Sequence, residues 1–368
     1  MELYVFDLNF NRLGIIDDFE SVKVERYYTK MGQLTMTIDG SKDNIDLLQK
    51  GRILAKTDDL QHGYLILTRE YLDEQSSQLE IIAPSLNIML RRRLIIGQQS
   101  FTGNIENVLK SFVAVNAVTP ANPNRIIPGL TISTNHGINI TATETDSNVL
   151  LDEFLYTVCN KHDLSWDVLL DVYNKRFIFD VWQGTDRSAE QHVNPHVIFS
   201  KDRENVLKQN YTESESDYKN VAIVAGEGEG NDRAYLTVND QVSGFDRIEM
   251  FVDARDLQST YQSENDVDIT LTPVEYKDLL NERGKSKLTE YPKVVTFESD
   301  IDLYSNEVYG VDYFMGDKVS IKNDDLSLIM HTRIVSAIES TTQTGTSLQV
   351  DFGSNIPTLL DKLKRAVK

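Results

Sequence analysis

The sequence reads Gly51-Arg52-Ile53-Leu54-Ala55-Lys56-Thr57-Asp58-Asp59-Leu60 in one place and Gly316-Asp317-Lys318-Val319-Ser320-Ile321-Lys322-Asn323-Asp324-Asp325-Leu326 in another. With one residue gapped, the two stretches resemble each other. Each leads into a strand-like run that carries a Thr-Arg pair, Thr68-Arg69 or Thr332-Arg333, and then into a polar turn and a final apolar run. These parallels predict that one β region occurs twice in the chain. Chance agreement between two strand-turn-strand segments is the alternative, because short matches arise easily by accident.

The first 90 residues alternate short apolar runs with turn-forming residues, as strands of a small β domain do. The runs that predict strands are 3–8, 22–28, 33–38, 52–57, 63–71 and 78–83. Pro84 and Ser85 end the last run, and 85–90 has the pattern of a helix start. We therefore predict a first β-barrel domain over 1–90, with a sandwich as the other fold of the same spacing.

Helical spacing dominates the next part of the chain. Apolar residues recur at intervals of three and four over 104–115 and 146–162, which predicts two amphipathic helices. Two strand-like runs, 165–172 and 175–182, come next with Tyr173-Asn174 as their hairpin turn. This pattern predicts an α+β insertion domain over 91–195.

Strand patterns return after Pro195. The runs that predict strands are 197–200, 206–214, 220–225, 234–238, 247–252, 294–298, 318–322, 328–340 and 348–352. Among them, Thr272-Pro273-Val274-Glu275 predicts the capped start of a helix that ends near residue 291. We predict a second β-barrel domain over 196–355, with a helical insertion around 272–291, and a C-terminal helical tail over 356–368 with its helix at 358–366. The fold class is thus predicted as mainly β with α+β insertions and two similar small β-barrel domains.

Composition sets limits on the class of protein. The 368 residues are 40% hydrophobic and 26% charged, which is typical of a globular chain of two or three domains. Asp and Glu number 57 against 37 Lys and Arg, a net charge of −20, so the surface repels nucleic acid and anionic membranes. We find no apolar run of the roughly 18 residues that cross a bilayer and no signal peptide at Met1. A membrane anchor and sequence-specific nucleic-acid binding are therefore not expected.

The single cysteine, Cys159, has no partner for an intrachain disulfide, which indicates synthesis in a reducing cytoplasm. It lies in a segment with helical spacing, where a lone cysteine is usually a small core residue rather than a nucleophile. We assign it no chemistry.

A glycine-rich segment, Gly226-Glu227-Gly228-Glu229-Gly230, comes directly after a strand-like run and invites a nucleotide-binding interpretation. Two glutamates in the loop oppose that interpretation, because a phosphate loop gathers backbone N–H groups and a lysine around an anion. The next residues along the chain are strand-like rather than helical. We favour a glycine-permitted bulge or hairpin at an edge strand.

Six histidines are present, and only His192 and His196 lie close together in the sequence, with Pro195 between them. Proline prevents the helical spacing that zinc hydrolases use, so exposed linker residues are the ordinary explanation and a loop metal site is the alternative. Carboxylates are abundant, and those at predicted turns are expected to cap backbone amides. We therefore assign no catalytic, cofactor-binding or metal-binding residue and expect no enzyme and no cofactor.

Three stretches carry a resemblance to a known family. They are the opening, with the strand Leu3-Tyr4-Val5-Phe6-Asp7, a turn with Arg12-Leu13-Gly14 and the strands 22–28 and Gly32-Gln33-Leu34-Thr35-Met36-Thr37-Ile38; the run from Asn210 to Arg233; and Tyr309-Gly310-Val311-Asp312-Tyr313-Phe314-Met315-Gly316-Asp317-Lys318-Val319. On these the chain resembles the hub proteins of siphophage tails, also called tail-associated or baseplate hub proteins, in a short form that lacks a C-terminal lysin domain. The residues that carry the structural motifs are Gly226, Gly228, Gly230, Arg233, Asp312, Gly316 and Asp317.

The resemblance implies a structural virion protein at the tail tip of a phage or prophage. It implies a homotrimer in which each subunit has two similar barrels. The six barrels of the trimer then form a ring that matches the hexameric tail tube. The implied partners are a distal tail or tail tube protein, the C-terminus of the tape-measure protein, and a receptor-binding, fibre or spike protein.

Two other functions stay open from the sequence. One is a tail-associated cell-wall hydrolase, either a glycosidase or a peptidase, because two suitably spaced carboxylates suffice for a glycosidase. The other is a carbohydrate-binding receptor module, which would gather exposed aromatic rings on one face. Trp166 and Trp182 lie inside strand patterns and are predicted to be core residues.

Overall fold

The structure is a computed structural model, and it describes residues 1–73, 77–262 and 268–353. The chain divides into two compact units. The first consists of Met1–Val22, Thr29–Gln183 and Lys219–Tyr291, and the second of Lys23–Tyr28, Gly184–Tyr218 and the chain from Pro292 onward.

Short strands make up most of both units. In chain order they are β1 (Leu3–Phe6), β2 (Arg12–Ile16), β3 (Ser21–Tyr27), β4 (Gln33–Asp39), β5 (Ile53–Lys56), β6 (Asp59–Leu65), β7 (Thr68–Asp73), β8 (Ser77–Pro84), β9 (Gln98–Asn104), β10 (Leu130–Ile132), β11 (Thr141–Ser147), β12 (Ser165–Asp171), β13 (Arg176–Trp182), β14 (Ile198–Phe199), β15 (Val206–Ser214), β16 (Val221–Ala225), β17 (Tyr235–Val238), β18 (Glu249–Asp253), β19 (Thr260–Gln262), β20 (Asp268–Thr270), β21 (Val294–Ile301), β22 (Lys318–Asn323), β23 (Leu328–Thr342) and β24 (Gly345–Gly353). The α-helices are α1 (Lys42–Leu47), α2 (Ile88–Arg91), α3 (Ile105–Val113), α4 (Leu151–His162) and α5 (Pro273–Leu288).

The first β region lies in unit 1. Its strands form an antiparallel sheet in the order β2-β1-β5-β6 and a second antiparallel ladder of β4, β8 and β7. Alternation along β4 buries Leu34, Met36 and Ile38 and leaves the threonines between them half-buried, as a strand with one core face requires.

The α+β part of unit 1 shares its core with the first β region. Helices α3 and α4 pack over the sheet β10-β13-β12, and the rings of Phe112 and Phe154 lie 4.1 Å apart between the helices. The same apolar cluster contains Ile53 and Leu65 from the first β region. Trp166 is buried in it, as predicted, and Trp182 is half-buried. Burying these side chains together makes one core of what the sequence presents as separate stretches.

A third part of unit 1 is a small α/β layer. Its sheet has the order β17-β16-β18, and α5 covers one face. The predicted capping box at the start of α5 is confirmed: the Glu275 N–H donates to Thr272 Oγ1 at 3.3 Å, and the Thr272 N–H donates to the Glu275 carboxylate at 2.7 Å. Gly284 lets the helix approach the sheet, since a Cβ there would lie only 2.5 Å from Val238 and 2.6 Å from Val224.

Unit 2 contains the second β region. Four strands form the antiparallel order β15-β21-β24-β23. The long strand β23 also pairs with β22, which in turn pairs in parallel with β14. The rings of Phe199, Tyr313 and Phe352 fill the core here, with 5.1 Å between the first two and 4.9 Å between Phe199 and Phe352.

The two β regions repeat the same succession, which supports the duplication. Gly51 has φ +85° and Gly316 has φ +82°, and each precedes an antiparallel hairpin, β5-β6 or β22-β23. The arginine of each Thr-Arg pair is hydrogen-bonded to a residue that precedes the hairpin. Arg69 donates to the side chain of Gln49 at 2.8 Å, and Arg333 donates to the Gly316 carbonyl at 2.5 Å.

The mainly β fold class is confirmed, with strands close to the predicted runs. Two predicted elements differ. The run 63–71 is two strands, β6 and β7, and the predicted turn at 12–14 belongs to strand β2. β2 lies at the edge of its sheet and is mostly exposed, so it lacks the apolar alternation that reveals a strand. Helix α1 has no signal in the sequence, because six residues are too few to establish a helical period.

The strands within the described residues form open sheets rather than closed barrels. The predicted helical tail at 356–368 lies outside the described residues. Over the described part of the chain, no helix combines the length and the apolar character needed to cross a membrane.

Cys159 allows a test of the unit 1 core. The thiol is fully buried, and burial raises its pKa far above the ordinary value. We expect the native thiol to react with a disulfide reagent at least about a hundredfold more slowly than the thiol in urea, because reaction requires local opening. The rate of colour release, followed from pH 7 to 9, measures this. A fast native reaction that speeds up with pH would show an accessible thiol and contradict the core assignment.

Candidate functional site

The glycine-rich segment forms the turn between β16 and β17, which pair antiparallel. The Gly226 N–H donates to the Ala234 carbonyl at 2.8 Å, and the Glu227 N–H donates to the Tyr276 hydroxyl at 2.8 Å. Gly228 and Gly230 have φ of +97° and +56°, in the left-handed region that glycine adopts without strain. The predicted hairpin is confirmed, and the N–H groups of Gly226 and Glu227 are directed at protein oxygens.

Arg233 holds this turn closed. Its Nε donates to the Gly226 carbonyl at 3.0 Å and its Nη2 to the Ala225 carbonyl at 2.9 Å. The same Nη2 donates to the Asp253 carboxylate at 2.5 Å, and the guanidinium lies 5.8 Å from the centre of the Phe251 ring. Arg233 thus ties the end of β16 to β18, a structural role that requires the planar fork of arginine.

Asp253 is the acidic partner in this arrangement. The Arg255 guanidinium, held by Oδ1 and Oδ2 at 2.6 to 3.1 Å, is the main cause of a lowered pKa, and Arg233 adds to it. Together they lower the pKa of Asp253 from 3.8 to about 2. The carboxylate therefore stays ionised at any physiological pH and serves as a fixed charge.

The sheet face opposite α5 carries two exposed aromatic side chains. Tyr235 on β17 is 59% exposed and Phe251 on β18 is 58% exposed, and the half-buried Ile223 on β16 lies beside Phe251 in the register. Strand spacing and rise place the two aromatic residues roughly 12 Å apart on this face. We call Ile223, Tyr235 and Phe251 the aromatic face.

Asp317 is the centre of the second predicted motif, in unit 2. Its carboxylate is buried and accepts the Thr185 N–H at 2.8 Å, Arg187 Nε at 2.8 Å and the Phe314 N–H at 3.0 Å. The chain at 184–187 is thereby fastened to the start of β22. A buried carboxylate with this many donors is a structural element whose loss leaves several polar groups unpaired.

The other two residues of that motif shape the backbone nearby. The Gly316 N–H donates to the Ile334 carbonyl at 3.1 Å, and Gly316 itself takes a left-handed φ. Its carbonyl is packed so tightly on Gly184 that any side chain at 184 would collide with it. Asp312, by contrast, is exposed and accepts the Val308 N–H at 2.8 Å within a surface loop. The predicted motif residues are divided between the units. Unit 1 contains Gly226, Gly228, Gly230 and Arg233, and unit 2 contains Asp312, Gly316 and Asp317.

The sequence analysis missed a second buried carboxylate that is surrounded by hydrogen-bond donors, as Asp317 is. This is Glu106 in unit 1. It is fully buried and accepts the backbone N–H groups of His136, Gly137 and Ile138 at 2.6 to 2.9 Å. Burial alone would raise its pKa, but these hydrogen bonds and the charge of Lys110 outweigh burial and lower the pKa. The partners are thirty residues away in sequence, so no local pattern signals the site.

An ionic cluster that the sequence also concealed joins two parts of unit 1. Arg283 on α5 lies 2.9 Å from Asp146 and 3.0 Å from Asp256, and the Ser147 hydroxyl donates to Asp256 at 2.8 Å. Burial raises the pKa of Asp146, and the positive charge of Arg283 opposes that rise. Arg283, Asp146, Asp256 and Ser147 are thus partners of one another inside the protein.

The remaining candidates do not come together. The rings of His192 and His196 lie 6.3 Å apart, and His196 Nε2 is 2.7 Å from the Gln191 carbonyl. Among residues 1–73, 77–262 and 268–353, no three His, Cys, Asp or Glu side chains are grouped closely enough to hold a metal ion.

The sequence matches the family described as Siphovirus ReqiPepy6 Gp37-like protein over residues 2–354. The chain belongs to this family. No curated protein matches the sequence.

Solved structures with a similar fold come from prophages and bacterial genomes. The 43 kDa tail protein of prophage MuSo2 from Shewanella oneidensis has a TM-score of 0.59 at 11% identity, covering 96% of this chain and 98% of that chain. The tail protein from Neisseria meningitidis MC58 has a TM-score of 0.58 at 11% identity, with 96% of each chain covered. Prophage tail protein gp18 from Listeria monocytogenes EGD-e has a TM-score of 0.53 at 11% identity, covering 100% of this chain and 98% of that chain.

The predicted resemblance to siphophage tail proteins is confirmed at the level of family and fold. This Gp37-like chain has the fold of prophage tail proteins. Its Arg233 and Asp317 hold the fold in place, and the charged groups around them allow direct tests.

The charge of Asp253 predicts a pH-dependent stability difference. Because its folded pKa is lowered, the carboxylate contributes stability that is present above its ordinary pKa of 3.8 and is lost as the pH falls toward about 2. We expect Asp253→Asn to lower the melting temperature at pH 6 and to lose that effect near pH 2. Melting curves of both chains from pH 2 to 7 measure it, and a pH-independent difference would contradict the assignment.

Asp317→Ala is expected to lower the free energy of unfolding of unit 2 by about 3–5 kcal/mol, because Arg187 and two N–H groups lose their buried partner. Hydrogen exchange of amides in β22 and β23 gives this free energy. Asp312→Ala is the matched control, and the exposed carboxylate predicts a much smaller loss. Equal losses for the two variants would show that burial of Asp317 has no special weight.

Proposed function

We propose that this chain is the structural hub at the distal end of a siphovirus-type tail, a trimer that joins the tail tube or distal tail ring to the tip. The observation that carries the proposal is the extent of the similarity: the family covers residues 2–354, and tail proteins of nearly the same length share the fold over 96% or more of this chain. Residues 2–354 are therefore accounted for by one family and by the fold of tail proteins.

The repeated β region supports the hub role. The hairpins after Gly51 and Gly316, with Arg69 and Arg333 hydrogen-bonded to residues that precede them, give each chain two similar elements. Three chains with two such elements each provide six, which fits a ring of sixfold symmetry above a threefold tip. We propose 1–90 and 196–355 as the two repeated domains, each acting as a barrel in the assembled ring, with 91–195 as the insertion.

The partners follow from this position. On one side we propose the tail tube or distal tail protein, and on the other the end of the tape-measure protein and a spike, fibre or receptor-binding protein. The location is the tail tip of the virion. The predicted motif residues, Gly226, Gly228, Gly230, Arg233, Asp312, Gly316 and Asp317, keep a structural role in this proposal.

A non-enzymatic role is consistent with how the polar residues are used. The buried carboxylates Glu106 and Asp317 are surrounded by backbone donors, and Asp253 is neutralised by two arginines. Wall degradation during infection would then belong to another subunit. Peptidoglycan hydrolysis by the purified chain that disappears when one carboxylate is removed would support the hydrolase alternative instead.

Light scattering over a concentration series tests the hub proposal. We expect a mass of about three times the chain's 41.9 kDa for the chain alone, or a complex that contains three copies of the chain on addition of the purified distal tail protein. A chain that stays monomeric at high concentration, both alone and with the distal tail protein, would count against a trimeric hub.

The aromatic face favours a second function, binding of a cell-surface carbohydrate. Tyr235 and Phe251 present rings on one sheet face, with the charged groups of Arg233 and Asp253 beside them. Sugar rings stack on such aromatic faces and take hydrogen bonds from charged neighbours.

Calorimetry with host cell-wall polysaccharide tests this second function. Tyr235→Ala and Phe251→Ala are each expected to weaken binding about tenfold, a loss of one stacked ring. Phe245→Ala is the matched control, since Phe245 is exposed in the same part of unit 1 but lies in a turn away from the sheet. Absence of binding, or equal weakening by the control, would exclude the aromatic face as the site.

A further inference from the structure

A surface loop in unit 2 carries several exposed apolar side chains. The loop spans 302–314, between β21 and β22, and we call it the 302–314 loop. Its large apolar side chains Leu303, Tyr304, Val308, Val311 and Phe314 are all exposed, Val311 by 70% and Phe314 by 45%. Apolar side chains so close together on a surface mark a docking site.

Contacts within unit 2 hold the 302–314 loop in place. Its residue Tyr313 is fully buried and packs against the ring of Phe199. Above that anchor, the Gly310 N–H donates to the Tyr313 carbonyl at 2.8 Å, and the Asp312 N–H and carboxylate both bond to the backbone of Val308. A surface held in this way is preformed for a partner and loses little conformational entropy on binding.

The charge of the loop defines the chemistry of its partner. Residues 302–317 contain Asp302, Glu307, Asp312 and Asp317 and no lysine or arginine. Asp317 is buried and paired with Arg187, and Arg203 lies 3.9 Å from Glu307. Asp302 and Asp312 remain as acidic groups beside the apolar side chains, so the fitting partner is apolar and basic.

One segment of this chain has that chemistry. Residues 354–368 contain four basic residues, Lys362, Lys364, Arg365 and Lys368, and one acidic residue, Asp361, within a chain whose net charge is −20. Apolar residues recur in the segment at positions 356, 359, 360, 363 and 367, the spacing that places them along one side of a helix.

Residues 354–368 also begin close to the 302–314 loop. Gly353 follows Phe352, whose ring packs on Phe199, the same ring that holds Tyr313. Phe352 lies opposite Ile334 in the β23–β24 register, and the Ile334 carbonyl accepts the Gly316 N–H. Fifteen residues reach up to roughly 50 Å when extended, which is ample to bring the segment from Gly353 to the 302–314 loop.

We propose that residues 354–368 dock their apolar side on the 302–314 loop of the same chain, with the basic residues directed at Asp302 and Asp312. Attachment through a short tether gives the segment an effective concentration of about millimolar, which favours its own loop over that of another copy. The inference is independent of the hub proposal, and a monomeric chain in light scattering leaves it unchanged.

Hydrogen exchange on the full chain tests the docking. We expect amides of 359–366 to exchange at least about tenfold more slowly than in an unstructured peptide. Val311→Asp in the loop and Leu359→Asp with Leu363→Asp in the segment should each abolish that slowing. Val193→Asp is the matched control, because Val193 is 90% exposed elsewhere in unit 2, and it should leave the exchange unchanged. Unslowed exchange in the native chain, or slowing that survives Val311→Asp, would overturn the proposal.

A crosslink identifies whose loop is occupied. In a Cys159→Ala background, Val311→Cys with Leu363→Cys should form a disulfide within one chain, which runs as a monomer on a non-reducing gel. A disulfide-linked dimer or trimer would show that the segment docks on a second copy and would overturn the assignment to the same chain.

Discussion

A chain built from many short strands leaves many backbone carbonyls at strand ends and in connecting loops, and each buried carbonyl needs a hydrogen-bond donor. In this protein arginine side chains supply many of those donors. A guanidinium carries five N–H groups and can join two carbonyls and a carboxylate at once, as Arg233 does. The arginines that donate to backbone carbonyls include Arg52, Arg69, Arg93, Arg125, Arg233, Arg247 and Arg333.

This use of arginine has a consequence for the surface. The chain has 57 acidic and 37 basic residues, and many of its arginines are directed at internal carbonyls. Fewer positive charges are then available to pair with the surface carboxylates, and a basic segment such as 354–368 stands out.

The residues that resemble a chemical site in the sequence are structural for one shared reason. Gly226 allows the close approach of the Tyr276 side chain and Gly316 takes a left-handed φ, and Arg233 and Asp317 satisfy polar groups of the backbone nearby. Each needs a particular residue type as strictly as catalysis would. Residue identity alone therefore does not separate a binding site from a structural one, and the family and fold were needed to interpret them as parts of a tail protein.

Local patterns in the sequence determined most of the strands, helices α3, α4 and α5, the capping box at Thr272 and the repeated hairpin, because periodicity and turn chemistry act between near neighbours. Only the tertiary structure decided which stretches share a core, as Ile53 and Phe154 do, and which donors surround Glu106 and Asp317. It also revealed the open aromatic face and the exposed 302–314 loop. Burial and hydrogen bonding across more than a hundred residues depend on how the chain returns on itself, and no local pattern records that.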